Sequence, residues 1–466
     1  MPMKRSTTLI LCMWVTMAQA AAQEPAGGKE RRLGRLPDWA AESWVIRRQM
    51  ETPLALVGGH VVNVADGSIL ENATIVIKGD VILSIGLEAP PKNANTVDIH
   101  GRYVIPGLFD LHAHVIPKSL FFPNAKDPES ALQMLLDHGV TTIRALPMHV
   151  ESALQWASGI NAGHMTGPTI VAASGIYERQ AQRTSLGFGA SAVAENWVHR
   201  DALLGARWIK VYNSMDEKSL ETIIQTAQRF GIRVCGHTED VPPHRASALG
   251  IGSIEHIISI PLSCSFEGAV VESRSDLVAL TVGRWAAVDD GKLDVLLETL
   301  RRNRTAWVPT LVVTERMMRI GSHDGEATEV EAAEEAETAL QETIRRAARA
   351  AVRQHRAGGL VGLGTDFPVD GVEPGESVHR ELEIFVTDGG ATTLEALQIG
   401  TISSSRILGF EAILGTLEPG KIANLVVLRE NPMEDISRVR GIDMVIHDGR
   451  IHRPSAPGSE LEPSDR

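Results

Sequence analysis

Short apolar runs alternate with longer amphipathic stretches through most of this chain, in the pattern of strands followed by helices. Between residues 106 and 410 the alternation is regular, and each run is rich in aliphatic and β-branched residues. These runs lie near residues 105–112, 140–145, 168–173, 207–212, 232–237, 251–256, 305–310 and 360–366. Eight strands that alternate with helices predict an α/β protein whose main domain is a parallel (β/α)8 barrel of the TIM type.

A second kind of β pattern flanks this region on both sides. Three short β-rich runs with Gly and Asp-Gly turns precede the barrel, and two more follow it. Those runs are 56–63, 73–78, 81–85, 423–428 and 444–449. We therefore expect residues 51–105 and 411–455 to form one small β-sandwich domain, built from both ends of the chain, beside a barrel at 106–410.

The first residues have the three parts of a secretory signal peptide in order. Lys4 and Arg5 precede an apolar stretch at 7–18, and small residues follow at 18–20. That stretch is shorter than the ~20 residues of a membrane-spanning helix, so we expect no stable membrane anchor. We predict a signal peptide at 1–20 and export to the periplasm or the medium. An arm at 21–50 and a flexible tail at 456–466 complete the predicted organisation.

Composition narrows the expected partners. The chain of 466 residues has a formal net charge of −13 at pH 7, and an acidic surface repels phosphate backbones. We therefore expect a small-molecule substrate and no nucleic acid, and the sequence leaves a homo-oligomer open. Cys235 and Cys264 would remain after export; two thiols are not the disulfide framework of a small secreted domain, and they are either free or paired.

Two histidines on one strand face are the first candidates for chemistry. In the run that ends with His112-Ala-His114, alternate side chains share a face, so Asp110, His112 and His114 point the same way. Two imidazoles on one face can bind a single metal ion. The alternative is a polar strand end that faces water, and the other strands must decide between the two.

The fourth predicted strand carries a lysine that needs an explanation. Trp208, Lys210 and Tyr212 share one face of the run 207–212, and in a barrel that face points inward. An inward lysine is costly to bury alone. It must reach the solvated mouth, pair with an acid or be modified, for instance to a carbamate that can bridge two metal ions.

Three further strands end in residues that bind metals. His237 ends the fifth strand, His256 ends the sixth, and Asp366 ends the eighth. Barrel enzymes assemble their active sites at the carboxyl ends of the strands. Four histidines, one lysine and one aspartate are thus expected at one rim.

This pattern resembles the amidohydrolase superfamily over nearly all of the chain after residue 50. The motifs that carry the resemblance are PGLFDLHAH (106–114), GVTTIR (139–144), SIEH (253–256), GTD (364–366) and GTLEPGKIAN (415–424). Within the superfamily the sequence is most similar to the imidazolonepropionase-like branch, which contains metal-dependent Xaa-Pro and Xaa-Arg/Lys dipeptidases.

The resemblance implies a two-metal site. His112, His114 and Asp366 would hold one ion, His237 and His256 the other, and a carboxylated Lys210 would bridge them. Zinc is the default for a histidine-rich hydrolytic site, while manganese and cobalt suit the same ligands.

Departures from related patterns refine the expected activity. Mononuclear deaminases of the superfamily commonly have a glutamate three residues after the fifth-strand histidine, whereas this chain has Asp240 there and Glu239 one place early. With Lys210 in place for a bridge, this favours the two-metal hydrolase. The loops after strands two and three, at 145–147 and 174–185, differ from the dipeptidase pattern and leave the substrate open.

We predict an exported, two-metal amidohydrolase that cleaves an amide bond of a dipeptide or an N-acyl amino acid by attack of a metal-bridging hydroxide. Asp366 is the expected proton shuttle. Tyr212 is either a donor to the tetrahedral oxyanion or an aromatic residue that lines the mouth. Arg144 either pairs with a substrate carboxylate or forms a structural salt bridge.

Two alternatives remain. A cyclic amidase, lactonase or esterase would use the same metals with another pocket. A non-catalytic, metal-stabilised binding protein is disfavoured, because all six predicted ligands are present.

Overall fold

The computed structural model describes residues 52–118, 124–147, 149–179, 186–187, 189, 191–213, 215–265, 277–321, 330–369 and 371–454. All of them belong to one compact unit, Trp44–Arg466. The predicted signal peptide at 1–20, the arm at 21–50 and the tail at 456–466 lie outside the described residues.

Both ends of the described chain contribute to one eight-stranded sheet. Its strands are β1 (Leu54–Val62), β2 (Ile69–Lys78), β3 (Val81–Gly86), β4 (Asn95–Asp98), β5 (Tyr103–Pro106), β14 (Leu425–Leu428), β15 (Ile442–His447) and β16 (Arg450–His452). Their order is β16-β15-β14-β5-β1-β2-β3, and β4 pairs with β1. The pairing is antiparallel except that β1 runs parallel to β4 and β5.

Apolar residues alternate with other residues along these strands, so one face of the sheet is apolar and becomes buried. Leu56, Ile75, Val104, Val427 and Ile446 come from five different strands and pack into one apolar cluster. Each of them is 0% exposed. Burying a side chain of this size stabilises the fold by about 1.5–3 kcal/mol, so the cluster joins the two chain ends firmly.

The region between these ends forms a parallel barrel. Its strands follow the chain in order: β6 (Leu108–Ala113), β7 (Val140–Ala145), β8 (Thr169–Glu178), β10 (Trp208–Val211), β11 (Arg233–Gly236), β12 (Ser253–Glu255) and β13 (Ala306–Val308), with the short β9 (Leu186–Gly187) beside β8. The prediction of an α/β barrel with a separate β domain is confirmed.

The predicted eighth strand at 360–366 is not a regular strand, although it closes the barrel. Val361 bridges to Trp307, and Phe367 bridges to Ala113 on β6. The Leu111 amide donates to the Leu363 carbonyl at 2.8 Å. The segment runs so close to β6 that a Cβ at Gly364 would lie 2.8 Å from the Cβ of His112. Glycine permits this close approach and leaves the pairing irregular.

Helices cover the outside of the barrel. They are α1 (Pro128–Asp137), α2 (Val150–Ala162), α3 (Ser191–Leu204), α4 (Glu217–Arg229), α5 (Pro243–Leu249), α6 (Leu277–Ala286), α7 (Asp290–Arg302), α8 (Leu311–Gly321), α9 (Val330–Arg356), α10 (Glu376–Thr387), α11 (Thr393–Gln398) and α12 (Ser404–Leu408). In α4, Asp216 caps the first turn by accepting from the Ser219 amide at 2.8 Å, and Leu220, Ile223 and Ala227 face the barrel. Within the described part of the chain, no helix has the length and apolar character needed to cross a membrane.

On the amino-terminal side of the barrel, the connection to the small sheet is a single residue, Gly107, between β5 and β6. Its amide donates to the carbonyl of Asn424 at 2.9 Å, just before β14. A Cβ at this position would lie 2.1 Å from the hydroxyl of Thr141. The strand that carries His112 and His114 therefore continues directly from the small sheet.

Cys235 and Cys264 are both buried free thiols.

Candidate metal centre

The predicted histidines and Asp366 meet at the carboxyl ends of the barrel strands. The Nε2 atoms of His112 and His114 lie 3.2 and 3.0 Å from the Asp366 Oδ1 atom. One donor atom each from His112, His256 and Asp366 lies within 4.8 Å of the other two, a spacing at which one metal ion can be held. A cavity of about 130 Å³ is lined by these residues together with His237 and Tyr212.

Three of the histidine rings are held by their Nδ1 atoms, which leaves Nε2 available. His112 Nδ1 lies 2.7 Å from the Glu255 Oε2 atom, and His256 Nδ1 lies 2.7 Å from the Thr310 hydroxyl. His114 Nδ1 donates to the carbonyl of Leu146 at 2.7 Å, which fixes the proton on Nδ1 and the lone pair on Nε2. Metal-binding histidines are characteristically oriented in this way.

Burial keeps the rings of His114 and His256 in the neutral form that binds metals. Loss of solvent lowers the pKa of His114, and it lowers the pKa of His256 well below the ordinary value, against the opposing effect of Asp366. Neutral imidazole is the ligand form, since a protonated ring has no free lone pair.

His237 and Tyr212 form the side of the site. Their ring centroids are 4.1 Å apart, and His237 packs against His256 at 4.6 Å. The Nδ1 atom of His237 lies 3.3 Å from the Glu239 Oε1 atom. Burial raises the pKa of Tyr212, so its hydroxyl stays protonated and able to donate. Both roles that the sequence left open for Tyr212 are compatible with this position.

Arg144 lies beneath the site, where it is buried and paired with protein groups. Its side chain is 0% exposed. It donates to Glu255 Oε1 at 2.7 Å, to the Ser253 hydroxyl at 2.8 Å and to the Leu111 carbonyl at 2.6 Å. The structural salt bridge, the other role considered, is what the fold contains, and its partner Glu255 in turn orients His112.

Glu255, which contacts both Arg144 and His112, was not among the site residues predicted from the sequence. Burial opposes its ionisation, but Arg144 and His112 outweigh burial and hold the pKa of this carboxyl below its usual range. The SIEH motif contained a signal for Glu255. Ser253 and Glu255 are two positions apart on β12, so their side chains share the inward face of the strand.

The backbone at the rim is strained at three residues. His256, Thr310 and Asp366 have φ values of 66°, 49° and 65°, in the left-handed region that non-glycine residues seldom occupy. Such strain persists only where surrounding contacts enforce it, and it clusters at functional sites. Here it accompanies two candidate ligands and the threonine that holds one of them.

Glu381 on α10 supports that threonine from behind. Its carboxyl accepts from the amides of Leu311 and Val312, the first residues of α8, at 2.9 and 2.6 Å. The side chain is 0% exposed, and burial raises the pKa of Glu381 from 4.5 to about 8, against those two amides. No sequence signal pointed to this residue.

We expect the stability contribution of Glu381 to fall with rising pH. Between about pH 4.5 and 8 the folded chain retains a proton that the unfolded chain releases, so raising the pH favours unfolding. The difference in unfolding free energy between the wild type and Glu381→Gln should decrease from pH 5 to pH 8. Urea titrations of both proteins at fixed metal loading measure it. Parallel curves over this range would show that Glu381 does not titrate there.

Lys210 is buried inside the barrel near the histidines. It is 1% exposed, and its Nζ atom has no hydrogen-bond partner among the described residues. The solvated mouth and direct pairing with an acid, two of its three predicted explanations, are therefore not observed. Burial lowers the pKa of Lys210, and neutral amine is the form that adds carbon dioxide.

A family model for the amidohydrolase family matches residues 103–452, the span that contains every one of these site residues. The chain belongs to the amidohydrolase family. This membership confirms the resemblance inferred from the motifs and the prediction of a hydrolase that acts on carbon–nitrogen bonds. Members of this family are typically metal-dependent, in agreement with the residues gathered at the rim.

Solved structures of other amidohydrolases share this architecture. A candidate prolidase from Bifidobacterium longum has a TM-score of 0.69 at 26% identity, covering 86% of this chain and 95% of its own. A Xaa-Pro dipeptidase with methionine in its active site has a TM-score of 0.66 at 20% identity, with coverages of 86% and 100%. The latter likeness shows the fold alone.

Two curated relatives differ in how much of them is matched. Ochratoxinase from Aspergillus niger is 24% identical over 86% of this chain and 87% of its own length. Its structure has a TM-score of 0.66. Adenine deaminase from Geobacillus kaustophilus is 34% identical, but the match spans only 16% of that enzyme.

Proposed function

We propose that this amidohydrolase is an exported two-metal enzyme that cleaves the amide bond of a dipeptide or an N-acyl amino acid. The observation that carries the proposal is the buried Lys210 amine, which has no hydrogen-bond partner in the described part of the chain and lies inside the barrel whose rim holds four histidines and Asp366. A carbamate at Lys210 would offer two oxygen atoms to bridge a pair of ions. The similarity to a candidate prolidase supports the peptide substrate.

The ligand assignment is the one that the resemblance to two-metal amidohydrolases implies. His112, His114 and Asp366 would hold one ion, His237 and His256 would hold the second, and Lys210, as a carbamate, would lie between them. Zinc is the expected metal, with manganese or cobalt as substitutes. When bound, the ions supply hydroxide at neutral pH and polarise the scissile carbonyl.

Residues of the chain supply the rest of the chemistry. The Asp366 carboxylate accepts the proton released when water attacks and delivers it to the departing amine, which must leave protonated. The Tyr212 hydroxyl donates to the developing oxyanion. Ile116, Ile176 and Pro368 line the same cavity and exclude bulk water from it.

The same proposal includes the cellular setting. The signal-peptide pattern at 1–20 supports export, and the substrate is a small molecule that fits a narrow cavity.

The direct test measures turnover by the zinc-loaded protein on a panel of dipeptides, N-acyl amino acids, lactones, cyclic amides and adenine. We expect dipeptides or N-acyl amino acids to be hydrolysed and activity to be lost on chelation, with recovery when zinc, manganese or cobalt is restored. Release of free amine, followed by chromatography, measures the reaction. Turnover of lactones or cyclic amides alone would assign the alternative reaction, and deamination of adenine would assign a mononuclear deaminase.

The matched variants are Lys210→Ala and Lys218→Ala, which remove a buried and an exposed lysine. Lys210→Ala should lose bound metal and about 10–100-fold in activity, with partial rescue by short carboxylic acids. Lys218→Ala should retain both. Full metal content and activity in Lys210→Ala would contradict the bridging carbamate.

A further inference from the structure

A second cavity opens beside the metal centre, between the ends of β11 and β12 and the start of α8. It measures about 210 Å³ and shares Tyr212, His237, His256 and Asp366 with the first cavity. Its apolar wall consists of Ile257, Ile258, Val313, Met317 and Val369. This volume is below the ~300–1,000 Å³ of sites for drug-sized ligands, so one amino-acid residue is an appropriate occupant.

Two acceptor atoms in this cavity have no partner. Glu239 Oε2 and Asn213 Oδ1 are both buried without a hydrogen bond in the described structure. The other carboxylate oxygen of Glu239 faces His237 at 3.3 Å. A buried acceptor without a hydrogen bond is energetically costly. A ligand that donates hydrogen bonds to these two oxygen atoms would remove that cost, which favours its binding.

The charges of the side chains that line this cavity favour a positively charged hydrogen-bond donor as the ligand group. Neither lysine nor arginine is among the described residues that line the cavity, whereas Glu239 and Asp366 both line it. A substrate carboxylate placed beside Glu239 would find no lysine or arginine there among the described lining residues to offset the repulsion. An ammonium group would satisfy Glu239 and Asn213 together, through charge-assisted hydrogen bonds.

We propose that this cavity binds the α-ammonium group and the apolar side chain of the substrate's N-terminal residue, with Glu239 and Asn213 as the recognition residues. The inference rests on the proposed amide hydrolysis and decides between its two substrate classes. In a dipeptide the α-ammonium is one carbon from the scissile carbonyl, and Asp366 lines both cavities. The enzyme is then an aminoacyl hydrolase that rejects N-acylated amino acids.

The test compares leucyl-leucine with N-acetyl-leucyl-leucine, which differ in the amino-terminal charge and its acetyl cap. For the zinc-loaded wild type we expect kcat/KM to be at least about tenfold higher for the free peptide. In Glu239→Gln this ratio should fall to near one. Asp240→Asn, which removes an exposed carboxylate one residue later, should keep the wild-type ratio.

The ratio separates recognition from support of His237. If Glu239 only positions that ring, Glu239→Gln lowers both rates equally and the ratio stays unchanged, which overturns the proposal. A wild type that prefers the acetylated peptide also overturns it.

A binding measurement distinguishes this proposal from the proposed function. If the wild type cleaves neither peptide, amide hydrolysis of dipeptides is wrong, and calorimetry with leucinamide and N-acetyl-leucinamide still tests the cavity. Roughly tenfold tighter binding of leucinamide, lost in Glu239→Gln, supports the recognition site. Equal binding of the two amides by the wild type refutes it.

Discussion

Replacing Asp366 with asparagine is expected to reduce hydrolysis by about 10²–10⁴-fold while leaving the fold intact, because asparagine keeps the shape but cannot carry the transferred proton. Asp366 Oδ1 lies within 3.2 Å of two histidine Nε2 atoms, and Oδ2 lies 3.9 Å from His256. Burial disfavours the charged carboxylate, but His112 and His256 outweigh burial and lower its pKa well below the usual value. The Asp366 carboxylate is therefore held in its ionised form.

Three measurements on Asp366→Asn separate its roles. Turnover of the panel substrate gives kcat, elemental analysis gives bound metal, and circular dichroism reports the fold. Full metal content with no turnover isolates the proton transfer, whereas wild-type kcat would remove Asp366 from the mechanism. Loss of both metal and turnover would assign it mainly to metal binding. Asp294→Asn, at an exposed aspartate, is the matched control and should retain activity.

Removing the positive charge beneath the site should destabilise the protein strongly. Arg144 and Glu255 are each 0% exposed and 2.7 Å apart, and the guanidinium stacks on Trp208 at 4.6 Å. Arg144→Met leaves the Glu255 carboxylate buried with its main counter-charge gone. Breaking one side of a buried pair in this way costs about 3–5 kcal/mol.

Urea unfolding at fixed metal loading measures this cost. Arg301→Met is the matched control, because Arg301 pairs with Glu298 at the same 2.7 Å while both side chains are at least 41% exposed, and an exposed pair contributes about 0–1 kcal/mol. The double change Arg144→Met with Glu255→Gln should recover part of the loss, since no charge is then stranded. Equal losses in Arg144→Met and Arg301→Met would show that the buried pair carries no special weight.

Period and spacing were sufficient to predict the rim of the barrel. The predicted strand 140–145 coincides with β7, and His112, His237 and His256 lie where the alternation of strands and helices placed them. These positions follow from the local chain, because a strand points its alternate residues inward and ends where the apolar run ends. The family departure at 145–147 proves compatible with the site, because His114 is held by the carbonyl of Leu146 and not by a side chain.

Contacts between segments that are far apart in the sequence could not be predicted from period and spacing. The partner of Arg144 lies 111 residues away in sequence, and Glu381 meets the start of α8 from 69 and 70 residues away. The irregular eighth segment follows from the close approach of Gly364 to His112. Each of these contacts depends on which strands and helices become neighbours in the fold. The periodicity of a single sequence does not give the distances between such segments.

The small sheet also sets an order of events during synthesis. The strand Tyr103–Pro106 pairs on one edge with β14, which the ribosome makes only after the entire barrel. Until then that edge is open, and Val104 and Ile105, buried in the finished molecule, can be reached by chaperones and proteases. The last strands therefore complete the sheet, and a chain that ends before them would leave the edge of Tyr103–Pro106 unpaired.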